Sequence, residues 1–221
     1  MNTHAHASGW PFAIPGVVAF TLAVSWPALR VVLRPERRRT TWRSLAASTA
    51  GALALAVPLG WAQPFGGLDP HTWAMARFEL LAAAGPALLA YAVHATEAVV
   101  PPSPRPRRTR AGAGALVWTA AAYAWQLPPL DALDGAGGQA VRDLTWIVAG
   151  LLLWLPALAP GAPYRGPLVA AHLAAVPLGL AMLLTGRPGA GLLMLAADAV
   201  MAACTARGRF ALPLFRALTP P

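Results

Sequence analysis

Apolar stretches close to 20 residues long recur along the whole chain, divided by short connectors rich in Pro, Gly and Arg. That is the pattern of helices that cross a bilayer, not of segments buried in a soluble core. The stretches run from about Pro11 to Leu33, Ser44 to Ala62, Thr72 to His94, Ala111 to Leu130, Arg142 to Ala159, Leu168 to Thr185 and Ala190 to Ala206. Barrel strands would alternate polar and apolar positions over roughly 10 residues. These do not, and in lipid the backbone must satisfy its own hydrogen bonds, so helices are expected. The prediction is an all-α, polytopic membrane helix bundle of about seven transmembrane helices. A short tail (residues 1–10) precedes the membrane domain (11–206), and a second tail (207–221) follows it. The longest connector, EAVVPPSPRPRRTR, is expected to lack regular structure, and the loop DALDGAGGQAV separates the fourth span from the fifth. Pro58, Pro86, Pro156 and Pro177 fall inside spans and are expected to kink them. The abundant Gly and Ala allow close helix packing.

Charge orients the bundle. All 17 basic residues are arginine, the net charge is +9, and only 11% of residues are charged against 57% hydrophobic. A soluble domain carries about a quarter charged residues. In a soluble protein this much positive charge would suggest nucleic acid. Here the arginines cluster in alternate connectors, so no nucleic-acid partner is expected. Arg34, Arg37, Arg38, Arg39 and Arg43 follow the first span, Arg105, Arg107, Arg108 and Arg110 the third, Arg165 the fifth, and Arg207, Arg209 and Arg216 the last. The opposite side holds Arg187, with Arg77 and Arg142 near helix ends. The positive-inside rule then places the N-terminus outside and the C-terminus in the cytoplasm. The start, MNTHAHASGW, has no basic region of the kind that opens a cleaved signal peptide.

Ionisable side chains inside spans are costly and mark candidate sites. In LDPHTWAMARFELL, His71, Met75 and Glu79 stand at i, i+4 and i+8, one face of a helix. Imidazole and thioether suit copper, and a carboxylate can assist. The structural alternative is that Asp69 and His71 cap the helix, Met75 packs and Glu79 pairs with an arginine. His4 and His6 form an HxH in the N-terminal tail that could add metal ligands. Arg142 and Asp143 open the fifth span, where the helix dipole favours the carboxylate. An inter-helix pair joining Glu79 or Asp143 to Arg77 or Arg142 is the structural reading there. His94 and His172 lie near cytoplasmic span ends, as interfacial histidines or, alternatively, as haem ligands. Asp198, midway along the last span, could mark a proton path or hydrogen-bond a neighbouring helix. The nine tryptophans are expected mostly at span ends, as an aromatic belt. Cys204, the single cysteine, excludes an internal disulfide and reads as a packing residue. No P-loop, HExxH or GxSxG is present, and no acid–base or nucleophile–base set can be assembled, so no enzyme is expected.

The stretch WQLPPLDALDGAGGQAVRDLTWIVAGLLLWLPALAP, Trp125 to Pro160, resembles the CtaG-like family of cytochrome c oxidase assembly factors. Trp125, Leu127 and Pro128 match that family's WHLP-type turn, and Ala149, Gly150, Leu151, Leu152, Trp154 and Pro156 its AGLLFW-P segment. FELLAAAGPALL, Phe78 to Leu89, is similar to its HMLLxxxAPPLL, and GLLM, Gly191 to Met194, to its GLIMW. The likeness extends from about Thr72 onward. It implies seven spans with the N-terminus outside, a bacterial plasma-membrane location, and a copper-handling role beside terminal oxidase subunits. The family carries histidines, its presumed metal ligands, where this chain has Ala74, Phe78, Gln126 and Asp143. None of them carries over as a ligand, and His71 stands one turn before Ala74. The resemblance therefore leaves two functions open: a divergent copper-handling assembly factor, or a metal-free accessory or scaffold subunit of a membrane complex. A small transporter is weaker, because no inverted repeat is visible.

Overall fold

The computed structural model describes residues 38–60, 68–96, 104–127, 135–159 and 166–206, which hold helices and no strand. The helices are α1 (Arg38–Gly60), α2 (Pro70–Phe78), a π-helical segment (Glu79–Ala84), α3 (Gly85–Thr96), α4 (Pro104–Ala124), α5 (Ala136–Ala157), α6 (Gly166–Leu184) and α7 (Pro188–Ala206). Three stretches are long and apolar enough to cross a membrane: Pro70–His94, Gly137–Ala157 and Gly166–Leu184. Ser44–Gly60 and Pro188–Ala203 are shorter apolar helices. Among the described residues the regular structure is thus all helical, and its apolar helices are compatible with a bilayer. The first expected span, from Pro11 to Leu33, lies outside the described residues, as do both tails.

Three boundaries differ from the sequence expectation, and proline accounts for the first two. The arginine-rich connector is helical from Pro104, because a proline costs nothing in a first helical turn, where N–H groups have no intrahelical partner anyway. The same helix stops at Ala124, not near Leu130. Gln126 and Leu127 donate to the carbonyls of Tyr123 and Ala124, each at 3.0 Å. These tight turns close the helix ahead of Pro128 and Pro129, which have no N–H to continue it. Helix α5 likewise starts at Ala136, inside the expected loop.

The pairs α1–α3, α4–α5 and α6–α7 run antiparallel, whereas α2–α7 and α3–α5 run parallel. Helix α1 packs on α3, α4 on α5 and α6 on α7, while α2 lies beside α7 and α3 against α5. Ser44 Oγ donates to the Ala92 carbonyl at 2.9 Å, tying α1 to α3. The α6–α7 turn is made by Gly186 at φ +80°, a left-handed position that only glycine takes cheaply. There Arg187 N–H reaches back to the Met182 carbonyl at 2.9 Å, the six-to-one bond of a Schellman cap. The N-termini of α2, α5 and α7 and the C-termini of α4 and α6 therefore meet at one end of the bundle, the His71 end.

The outside of the bundle is apolar: Leu116, Leu144, Leu152, Leu173, Leu180 and Leu192 are all exposed, as lipid contact requires. Inside, small and aromatic residues interlock. Trp118 and Trp154 are fully buried, and Trp73, Trp125 and Trp146 are buried too. These five are core residues and not the interfacial belt the sequence suggests. Trp118 shows why. Pro86 has no N–H, so the Ala82 carbonyl lacks its usual helical donor, and the Trp118 indole N–H donates to it at 3.0 Å. Gly150 faces the same carbonyl, and a Cβ there would collide with Ala82 O and the Pro86 ring.

Candidate functional site

The His71 end begins with a cap. Asp69 Oδ1 accepts from the N–H groups of His71 and Thr72, each at 3.0 Å, and Oδ2 accepts from the Thr72 hydroxyl. Pro70 follows at the first helical position. The Thr72 hydroxyl first, and then the Thr72 N–H, hold the Asp69 carboxyl below its ordinary range.

Beneath the cap lies a cavity of about 50 Å³, lined by residues of α2, α5, α6, α7 and the end of α4. His71 and Met75 stand on its wall as their spacing predicts, joined by Met182 from α6. Ala74, Phe78 and Gln126 line it too, as do Arg142 and Arg187. Met75 and Met182 are buried and His71 is exposed. The Arg142 guanidinium lies 5.7 Å from the Trp125 ring centre and 5.8 Å from that of Trp146, within cation–π range. It also donates to Gln139 Oε1 at 2.9 Å. Phe78 packs between Trp118 and Trp146, at centroid distances of 5.6 and 5.3 Å.

Beside this cavity Arg77 and Asp143 form a buried ion pair across α2 and α5. Arg77 Nε donates to Asp143 Oδ1 at 2.9 Å and Nη2 to Oδ2, the two-pronged geometry of a strong arginine–carboxylate contact. Gln139 Nε2 adds a third bond to Oδ1 at 3.2 Å. The pair the sequence left open among four residues is thus Arg77 with Asp143.

Glu79 does not line the His71 cavity. It opens the π-helical segment, and its Oε1 is buried without a hydrogen-bond partner. Asp198 takes a hydrogen bond from His172, with Nδ1 2.7 Å from Oδ1, and both side chains are about 98% buried or more. His172 Nε2 and Asp198 Oδ2 have no partner. The rings of Trp118 and Trp154 stand 5.4 and 6.0 Å from the His172 ring. His172 is therefore a bundle-core residue, not an interfacial one, whereas His94 donates through Nε2 to the Leu155 carbonyl at 2.6 Å.

The sequence reading missed two partners. Met182 carries no local signal. His172 and Asp198 were each noted but not joined, although they stand fourteen residues before and twelve after Gly186. Residues about equally far from an antiparallel turn arrive at one level. His4 and His6 lie outside the described residues. Among the described residues no three His, Cys, Asp or Glu side chains converge as a metal site. The soft donors at the His71 cavity are one imidazole and two thioethers. Comparison with protein-family models, with curated proteins and with solved structures finds no match.

Proposed function

We propose that this chain is a membrane-embedded cytochrome c oxidase assembly factor, a divergent relative of the CtaG-like family that handles copper at its His71 end. One observation carries the reading. Ala74, Phe78 and Gln126, three of the four positions matched to that family's histidines, line a single cavity, although Gln126, in the turn after α4, is far in sequence from Ala74 and Phe78 on α2. The fourth, Asp143, is turned to Arg77. His71, Met75 and Met182 stand on the same wall, and imidazole with thioether is a donor set suited to Cu(I). Glu79 takes no part in that set. The arginine distribution supports seven spans with the His71 end and the N-terminus outside a bacterial plasma membrane. Copper held there would face oxidase subunits that take it up outside the cytoplasm. We assign the chain no catalysis.

A metal-free accessory or scaffold subunit is the second reading, and the two arginines on the cavity wall favour it. Arg142 and Arg187 oppose a bare cation by Coulomb repulsion, strongly so at the low dielectric of a bundle interior. Metal analysis of the full chain in detergent, after Cu(I) loading, separates the two. The assembly-factor reading expects one copper per chain, lost in a His71→Ala, Met75→Ala double variant and weakened in Met182→Ala. An absence of copper in the parent, with another membrane protein co-purifying, would establish the scaffold reading instead.

A further inference from the structure

Trp73 on α2 and Trp146 on α5 each carry a buried indole N–H with no hydrogen-bond partner. The two residues are only 8% and 4% exposed. Buried polar atoms are almost always bonded, as the Trp118 indole is to the Ala82 carbonyl. Indole nitrogen can only donate, so both groups call for an acceptor. The two rings stand on the wall of one cavity.

This second cavity at the His71 end, of about 160 Å³, is lined by residues of α2 and α5 alone. Arg77, Gln139 and Arg142 share its wall with the two tryptophans. Pro70 and Ala74 complete it, and both are exposed, so it reaches the surface there. No acidic residue lines it. The wall's one side-chain acceptor, Gln139 Oε1, already takes a bond from Arg142 at 2.9 Å. The carboxylates that flank the wall in sequence are engaged elsewhere, Asp143 with Arg77 and Asp69 with the first turn of α2. The lining thus supplies donors and positive charge: two indoles and two guanidinium groups, of which Arg77 is matched by Asp143. One water needs only about 10–15 Å³, so the space admits a group of phosphate size.

The structure assigns this cavity to a phosphate group, held by the Trp73 and Trp146 indole N–H groups and the Arg142 guanidinium. Guanidinium is planar and matches phosphate oxygens with paired donors. Hydrogen bonds to an ionised oxygen are shorter and stronger than those between neutral groups, which suits two neutral N–H donors set in an apolar bundle. At a span end such a group has two sources. One is a phospholipid headgroup, whose chains would lie along the exposed Val141, Leu144 and Val148 of α5. The other is phosphate from solution. The inference stands apart from copper handling, because His71, Met75 and Met182 do not line this cavity.

The test is read at the indoles. The metal-free full chain, labelled with ¹⁵N-tryptophan, is exchanged into maltoside detergent and phosphate-free buffer until no phosphorus co-purifies. The two N–H signals are assigned by their loss in Trp73→Phe and Trp146→Phe. Inorganic phosphate is titrated in one arm and short-chain phosphatidylglycerol in the other, with diacylglycerol as the phosphate-free control. Both signals should shift together and saturate in at least one arm, while the Trp118 signal stays still. A response to the lipid alone identifies a headgroup site, and a response to inorganic phosphate a site open to the free ion. In Arg142→Gln the midpoint should rise several-fold, with the Trp118 signal at its parental position showing that the bundle is folded. Indole signals that stay still in both arms of the parent would show water to be the acceptor and overturn the proposal. A shift that diacylglycerol reproduces, or that Arg142→Gln leaves unchanged, would overturn it too.

Discussion

Trp118 donates its indole N–H to the Ala82 carbonyl at 3.0 Å, the carbonyl that Pro86 leaves without its helical donor. One bond thus repairs a defect that proline creates and fixes α4 against the central rod. Trp118→Phe keeps most of the ring and removes only the donor. It should cost about 1–3 kcal/mol, the usual penalty for an orphaned buried acceptor, read as a lower midpoint in detergent unfolding. An unchanged midpoint would mean the carbonyl finds another partner.

Gly150 meets the same carbonyl from α5. In Gly150→Ala the new methyl strikes backbone and a proline ring, neither of which can swing aside as a flexible side chain can. Overpacking of this kind costs roughly 1–3 kcal/mol. Thermal unfolding beside Gly112→Ala, where a Cβ meets nothing within 4 Å, separates the clash from any general effect of replacing helical glycine.

The Arg77–Asp143 pair is buried on both sides. Removing one partner strands a charge, so Arg77→Met and Asp143→Leu should each cost roughly 3–5 kcal/mol. The double variant removes both charges and should recover much of that loss. A double variant as unstable as the sum of the two singles would show that the residues do not act as a pair.

Asp69 gives the protein a pH-dependent cap. Its carboxyl is held below the ordinary range by its hydrogen bonds, so it is less protonated in the folded state than in the unfolded one. The stabilisation is complete above the ordinary carboxylate pKa and is lost as pH falls through the lowered folded value. Asp69→Asn, which keeps a capping oxygen without the charge, should therefore be less stable than the parent at neutral pH. The gap should close as the solution is made acid. Paired unfolding curves across that range check the sign.

The proposed seven-span, N-out arrangement predicts a cytoplasmic C-terminus. A green fluorescent protein fused after Pro221 should fluoresce in cells, and alkaline phosphatase at the same site should be inactive. The opposite pair of results would invert the bundle and put the His71 cavity on the cytoplasmic side.

Helix existence was readable because lipid imposes it and because apolar runs are long. Which face points inward was not. In a soluble helix the polar face marks the outside, but here lipid and core are both apolar, so Trp118 and Leu116 look alike in sequence although one is buried and the other exposed. The His71–Met75–Glu79 stripe assumes 3.6 residues per turn throughout. It holds for the first two, which share a cavity wall, and not for Glu79, which is absent from that wall although its N–H still bonds the Met75 carbonyl in α register. The choice of Arg77 with Asp143, from four candidate partners, needed the relative rotation of two helices, which no local pattern encodes.

The Arg77–Asp143 pair also bears on how the protein is made. Its partners are 66 residues apart, so at ordinary translation speeds of about 5–20 residues per second, α2 is synthesised several seconds before Asp143 exists. During that interval Arg77 sits unpaired in the first half of a helix bound for lipid, where a charge costs up to about 2.5–3.5 kcal/mol on insertion scales, the value reached at the helix centre. The rod from Pro70 to His94 is therefore poorly suited to settle in the bilayer alone. It should linger beside the insertion machinery until α5 arrives, and the two should enter the membrane as a unit.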